Sequence, residues 1–293
     1  MLLTVFTPTY NRRELLGRVY QSLLAQTDLN FIWLIVDDGS TDDTGTLVQE
    51  WVREERITIE YLYRENGGKM RAHNTGVVNC RTRLFICLDS DDYFPEYAVE
   101  LVTATWRQIE DDSSQDTEKV CGIVAHKGRS ATEILTGGEF ADVKYTTLQG
   151  LYRKGFSGET TLVFRTDILK RFPFPEIDGE KYVPEDYIYD RIDKEYVLRV
   201  LPRILTICEL VTSGYTDSVE QLRDENPQAW LLYYQQRAQD APMSLLKLKY
   251  ISHYMQFARA VGKPVFRGER ILPVSILLLG LPGYVLLRLR HKK

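Results

Sequence analysis

The chain has 293 residues, 44% hydrophobic and 27% charged, and its 37 basic against 41 acidic side chains give a formal net charge of -4. That length supports a sizeable core, and the composition excludes a disordered chain or a small disulfide scaffold. The acidic balance also lacks the basic face that a nucleic-acid backbone requires, so no nucleic-acid partner is expected.

Residues 2–6 form an apolar run without the positive leader of a signal peptide, which predicts a first strand and a chain that stays in the cytosol. Leu15, Leu16, Val19, Leu23 and Leu24 then recur at helical spacing. Residues 31–36 predict a second buried strand ending in Asp37-Asp38-Gly39-Ser40, with Thr41 to Thr44 capping a helix through Leu47, Val48, Trp51 and Val52. The unit repeats: a strand at 57–63, a Gly67-Gly68 turn, a helix at 70–80, and a strand at 84–88 ending in Asp89-Ser90-Asp91-Asp92. Pro95 opens a further helix through Val99, Leu101, Val102 and Trp106. Helices joining short, continuous apolar strands imply an α/β fold with a mostly parallel central sheet covered on both faces. Ligands of such sheets bind outside the carboxyl ends of the strands, where Thr9-Tyr10-Asn11, Asp37-Asp38 and Asp89 to Asp92 all fall.

Beyond residue 120 the periodicity weakens. Strands are predicted at 121–125, 160–164 and 196–201, and short helical pieces at 168–171 and 185–191. From Gln221 the pattern is helical. Residues 271–287 are uncharged and flanked by Arg267, Glu269 and Arg270 before and Arg288, Arg290, His291, Lys292 and Lys293 after. Pro273, Gly280, Pro282 and Gly283 are expected to break a spanning helix, leaving an interfacial or re-entrant membrane segment, with a buried C-terminal helix as the alternative. Trp33, Trp51, Trp106 and Trp230 read as core rather than ligand-stacking platforms. Cys80, Cys87, Cys121 and Cys208 lie 7, 34 and 87 residues apart, too far for a zinc knuckle or a redox pair, and read as buried thiols.

The Asp89 to Asp92 cluster carries the strongest chemical signal. Carboxylates this close repel one another unless a divalent cation neutralises them, and Mg2+ or Mn2+ takes one or two carboxylates plus substrate phosphates. The competing reading is acidic residues that solvate a loop and cap the next helix. Asp37 and Asp38 suit hydrogen bonds to a base or ribose, or equally a turn that caps a helix. Glycines near Lys69 do not form a phosphate-binding loop, no Gly-x-Gly-x-x-Gly follows the first strand, and no Gly-x-Ser-x-Gly elbow or histidine metal spacing is present. Glu159, just before a strand, could position a ligand hydroxyl.

Thr7-Pro8-Thr9-Tyr10-Asn11-Arg12, Val36 to Asp42, Glu65 to Lys69, Ala72 to Gly76 and Leu88 to Asp92, in this order, closely resemble the family 2 glycosyltransferases. The resemblance covers roughly residues 1–100 and continues more loosely through Val183-Pro184-Glu185-Asp186. It implies a GT-A fold, placed over 1–220, and the helical pattern and the uncharged run with its basic flank give a helical extension at 221–265 and an apolar, basic tail at 266–293. In that fold Asp89 and Asp91 form an Asp-x-Asp motif holding the metal and the diphosphate. Pro8, Thr9, Tyr10, Asp38 and Ser90 are then expected around the donor nucleotide, and Lys69 near its ribose or phosphates. Asp186, with Glu185 as rival, is the expected catalytic base, because an acceptor hydroxyl must lose its proton during attack.

The absence of the Gln-x-x-Arg-Trp motif of processive members, and of an array of spanning helices, implies transfer of single sugars, and the resemblance implies inversion. A UDP-linked donor, a glycan or lipid-linked glycan acceptor and a position on the cytoplasmic membrane surface are expected. A nucleotidyltransferase acting on a sugar phosphate, and a non-catalytic nucleotide-sugar-binding module, are the competing classes.

Overall fold

The computed structural model describes residues 1–208, 219–265 and 273–290. The chain divides into two units, one of Met1–Pro173 with Ile188–Thr212, the other of Phe174–Tyr187 with Ser213–Lys293.

The first unit opens with the predicted alternation: β1 (Leu3–Thr9), α1 (Arg13–Leu24), β2 (Phe31–Asp37), α2 (Thr44–Glu54), β3 (Thr58–Tyr63), α3 (Lys69–Asn79) and β4 (Leu84–Cys87). β1 pairs in parallel with both β2 and β4, and β2 with β3. Because side chains alternate along a strand, both faces of these apolar runs need covering. Leu3 and Val5 join Trp33, Ile35 and Leu84 beneath Leu16, Val19 and Leu23 of α1. Phe6 points the other way, stacks on Phe85 at 5.1 Å and meets His73 of α3 edge-on at 5.7 Å. Tyr20 stacks on Trp51 at 4.4 Å, and Trp33, Trp51 and Trp106 are buried as expected. Each fully buried large apolar side chain contributes about 1.5–3 kcal/mol.

The remainder of the unit is β5 (Asp92–Tyr93), α4 (Ala98–Glu110), β6 (Val120–Gly128), β7 (Tyr145–Thr146), α5 (Leu148–Arg153), β8 (Thr160–Arg165), α6 (Thr166–Arg171), the end of α7 (Asp186–Ile192) and β9 (Val197–Cys208). The sheet order is β3-β2-β1-β4-β8-β6-β9-β5, with β7 beside β9. The wholly parallel pattern stops at β4. β8 runs antiparallel to both β4 and β6, and the connection from β6 to it carries the short strand β7 and the six-residue helix α5. Cys80 and Cys121 are buried, but Cys87 and Cys208 are only half-buried.

The second unit contains α8 (Val219–Glu225), α9 (Pro227–Asp240), α10 (Leu245–Ala260) and α11 (Val274–Arg290). Pro227 occupies the first turn of α9, where its missing N–H costs nothing. The buried Glu180 carboxylate accepts from the free amides of Gln228 at 2.7 Å and Ala229 at 2.8 Å, placing negative charge at the positive end of the helix. Trp230, buried as expected, stacks on Tyr234 and Phe257.

The expected break in the C-terminal apolar run does not occur. α11 continues through Pro282, and Pro273 precedes it, accepting from the amides of Ile276 and Leu277. The two glycines permit close packing on α10 rather than breaking the helix. A Cβ at Gly280 would lie 2.4 Å from Ile251, one at Gly283 would lie 2.4 Å from Ser252, and Ser252 Oγ donates to the Gly280 carbonyl at 2.9 Å. Leu277 is buried against this seam, whereas Leu278, Leu279, Val285 and Leu286 are exposed. No helix among the described residues is long and apolar enough to cross a membrane, and residues 266–272 and 291–293 of the expected tail lie outside the described residues.

Candidate active site

The loops after β1 and β2 are tied together. The Asp38 amide donates to the Thr9 carbonyl at 2.8 Å, extending the ladder one residue past β2. Asn11, at φ 50, accepts from the Thr41 amide at 2.8 Å and donates its own amide to Ser40 Oγ at 2.9 Å. Asp42 supplies the capping function, bonding Thr44 Oγ1 at 2.6 Å and the Arg13 amide at 3.0 Å. This network presents Pro8, half-buried, and Tyr10, 48% exposed, at the carboxyl end of β1. Thr9 is turned inward, its hydroxyl buried and without a hydrogen-bond partner among the described residues.

Asp37 and Asp38 separate into two roles. Asp37 accepts from the Ser40 amide and from Tyr61, both at 2.7 Å, and stabilises the turn. Burial and the bond to Asp37 push the Tyr61 hydroxyl pKa well up. Asp38 faces the Gly67-Gly68 turn, accepting from the Gly67 amide at 3.1 Å, the Gly68 amide at 2.6 Å, Asn66 Nδ2 at 3.2 Å and the Arg64 guanidinium. The carboxylate thereby fixes the segment that leads into α3 and its first residue, Lys69.

Lys69 reaches across to the segment after β4, its Nζ 2.8 Å from Asp89 Oδ1. Burial alone would raise the Asp89 pKa, but Lys69 and Lys127 hold it below the usual carboxylate range. Ser90 is buried. Asp91 lies 3.8 Å from Arg12, and its backbone carbonyl accepts from Arg18. Asp92 is buried in the short strand β5, 3.4 Å from Lys127 Nζ, and burial pushes its pKa up. Lys127 also lies 3.6 Å from Glu159. Burial would discharge its ammonium, but Asp92, Asp89, Cys208 and Glu159 outweigh that and hold it protonated.

Contrary to expectation, repulsion among these carboxylates therefore does not demand a metal ion. Basic side chains from β6, from α3 and from the stretch between β1 and α1 already balance these carboxylates, as buried charge requires. No group of three or more His, Cys, Asp or Glu among the described residues could hold a metal ion. The available donor set, Asp89 and Asp91, still fits Mg2+ or Mn2+, which takes one or two carboxylates and completes its shell with phosphate oxygens and water.

The expected base lies in the second unit. Asp186 opens α7, and its Oδ2 accepts from Arg237 Nη2 at 2.9 Å. Glu185 immediately precedes it and is half-buried. Sequence reasoning missed Lys127, Arg64 and Arg237, since each meets its acidic partner only through the fold. The usable signal for Lys127 was a lone charge inside an otherwise apolar strand.

The family model described as "Glycosyl transferase family 2" matches residues 4–171, more than half of the chain. An uncharacterized glycosyltransferase of Rickettsia felis is 38% identical over 98 residues, 33% of this chain and 16% of that protein. The putative teichuronic acid biosynthesis glycosyltransferase TuaG of Bacillus subtilis is 36% identical over 100 residues, 34% of this chain and 39% of that protein. The chain thus spans well under two thirds of the curated relatives it matches. Among solved structures, S. aureus TarS in complex with UDP-GlcNAc superposes with a TM-score of 0.62 at 17% identity, over 88% of this chain and 72% of that one. That likeness shows the fold, GT-A.

Proposed function

The chain belongs to glycosyl transferase family 2, and on that premise we propose that it moves one sugar, with inversion, from a nucleotide-sugar donor to an acceptor hydroxyl. The observation that carries this reading is the cluster of Asp89, Asp91 and Lys69 at the carboxyl ends of parallel strands, beside the linked loops after β1 and β2. A UDP-linked donor is supported by the likeness to TarS with UDP-GlcNAc bound. An acceptor among cell-surface polysaccharide precursors is supported by the name of TuaG.

Pro8, Thr9, Tyr10, Asp38 and Ser90 bind the nucleotide in this reading, Asp38 by shaping the turn before Lys69. Asp89 and Asp91 would hold Mg2+ or Mn2+, which would supply electrostatic stabilisation of the leaving diphosphate. Lys69 adds positive charge where that group departs. Asp186, with Glu185 as rival, accepts the acceptor's proton, a role supported by the Glu-Asp motif.

The exposed apolar residues of α11, with Arg288 at its end, support association with the inner membrane face. The test is a panel of nucleotide sugars incubated with purified protein and Mn2+. Slow release of nucleoside diphosphate is the expected result. Pyrophosphate formed from a nucleoside triphosphate and a sugar phosphate would instead identify a nucleotidyltransferase, and binding without turnover a non-catalytic module.

A further inference from the structure

The segment bearing Glu185 and Asp186 is fastened along its length to a single helix. At one end Glu180 accepts from the first amides of α9, and Asn226, just before that helix, accepts from the amides of Lys181 at 2.8 Å and Tyr182 at 3.0 Å. At the other end Gln236 Nε2 donates to the Tyr187 carbonyl at 3.0 Å, and the next residue, Arg237, holds Asp186. Arg237 is itself confined. Its guanidinium lies 4.6 Å from the Tyr233 ring centre and 5.6 Å from that of Tyr250, whose hydroxyl it also approaches at 3.4 Å. Tyr233 is one helical turn before Arg237, so the ring and the guanidinium share a face of α9.

We infer that Arg237 is a positioning residue for the transfer reaction, setting the orientation of the Asp186 carboxylate at the moment it takes the acceptor's proton. The inference rests on the reading of Asp186 as the base. In the step it serves, the acceptor oxygen bonds to the anomeric carbon, its proton passes to the Asp186 carboxylate, and the sugar–phosphate bond breaks with its electron pair leaving on the diphosphate. Arg237 exchanges no proton. Asp186 has a side chain 44% exposed, and an unheld carboxylate there would sample several rotamers. A guanidinium held close to two rings narrows the arrangements open to it, and small displacements of a reacting group cost rate steeply.

The test uses the full chain, the fastest nucleotide sugar of the panel above, and water as acceptor. Arg237→Gln should lower kcat for nucleoside diphosphate release about 10- to 100-fold, leave KM for the donor within about twofold, and leave UDP binding by calorimetry unchanged. Arg237→Lys should recover part of the rate. Tyr233→Leu, which frees the guanidinium without touching Asp186, should reproduce a milder loss. The decisive measurement is the cycle with Asp186→Asn, in which Arg237→Gln should add no further loss.

An unchanged kcat in Arg237→Gln, an equal loss in the Asp186→Asn background, or a loss of UDP binding would each overturn the inference. Should Arg237→Gln not fold, Arg237→Lys and Tyr233→Leu carry the same cycle. A normal rate in Asp186→Asn alone would sink the base assignment itself, and is seen before any Arg237 variant is made.

Discussion

Asp91 forms the loosest ion pair of the three carboxylates that follow β4, 3.8 Å from Arg12, whereas Lys69 grips Asp89 at 2.8 Å. It is therefore the carboxylate most ready to exchange its partner for a hard cation. Asp91→Asn should abolish turnover and weaken UDP binding in the presence of Mn2+, measured by calorimetry. Asp89→Asn should resemble it and also lower stability, because the ion pair with Lys69 is lost. Near-native activity in both variants would reduce these carboxylates to structural ones. Asp186→Asn should lower the rate about 100-fold or more with donor affinity nearly unchanged, the scale for removing a general base. Glu185→Gln is its comparison, and a larger loss there would exchange the two roles. The acidic half of the site was legible in the sequence because its residues are contiguous and end strands. Its basic half was not, since Lys127 meets Asp92 across 35 residues and Arg237 meets Asp186 across 51.

At the scale of elements, β1 to β4 and α1 to α4 were readable from continuous apolar runs and helical spacing. β5 and β7, of two residues each, and α5, of six, are too short to show a period. β9 was expected to stop at 201, before Pro202. It continues to Cys208 because the sheet absorbs the proline at a register shift, Ala125 facing Leu201 and His126 facing Ile204. Gly122 in β6 marks a close approach: a Cβ there would lie 1.8 Å from the Val163 carbonyl oxygen. Gly122→Ala must part β6 from β8 and should cost about 3 kcal/mol, read as a lower urea midpoint. A variant within about 0.5 kcal/mol of the parent would mean the strands have room to spare. For α11, replacing the exposed Leu278, Leu279, Val285 and Leu286 with serine should abolish cosedimentation with anionic vesicles while Tm changes little, since the seam at Leu277, Gly280 and Gly283 is untouched. A large fall in Tm would place that face within the fold instead.

On the scale of the whole molecule, the first unit was largely visible in the sequence and the second was not. Its helices were, but nothing local announces that 174–187, lying between α6 and β9, belongs with helices some 40 residues further on. That excursion has a consequence for how the protein is made. Chains emerge from the ribosome N-terminus first, so every strand of the sheet is synthesised before the helix that anchors 180–187. Until α9 has emerged, Glu180 lacks the amides of Gln228 and Ala229, and Asp186 lacks Arg237. Nascent chains arrested with residues 174–187 outside the ribosome but α9 still inside it should therefore be cut by trypsin at the exposed Lys181 far faster than chains arrested after α9 is free. Equal cutting at both lengths would mean the segment finds its place without the helix. If the difference is seen, a pause in translation after this segment has left the ribosome and before α9 has left it prolongs the segment's exposure to proteases.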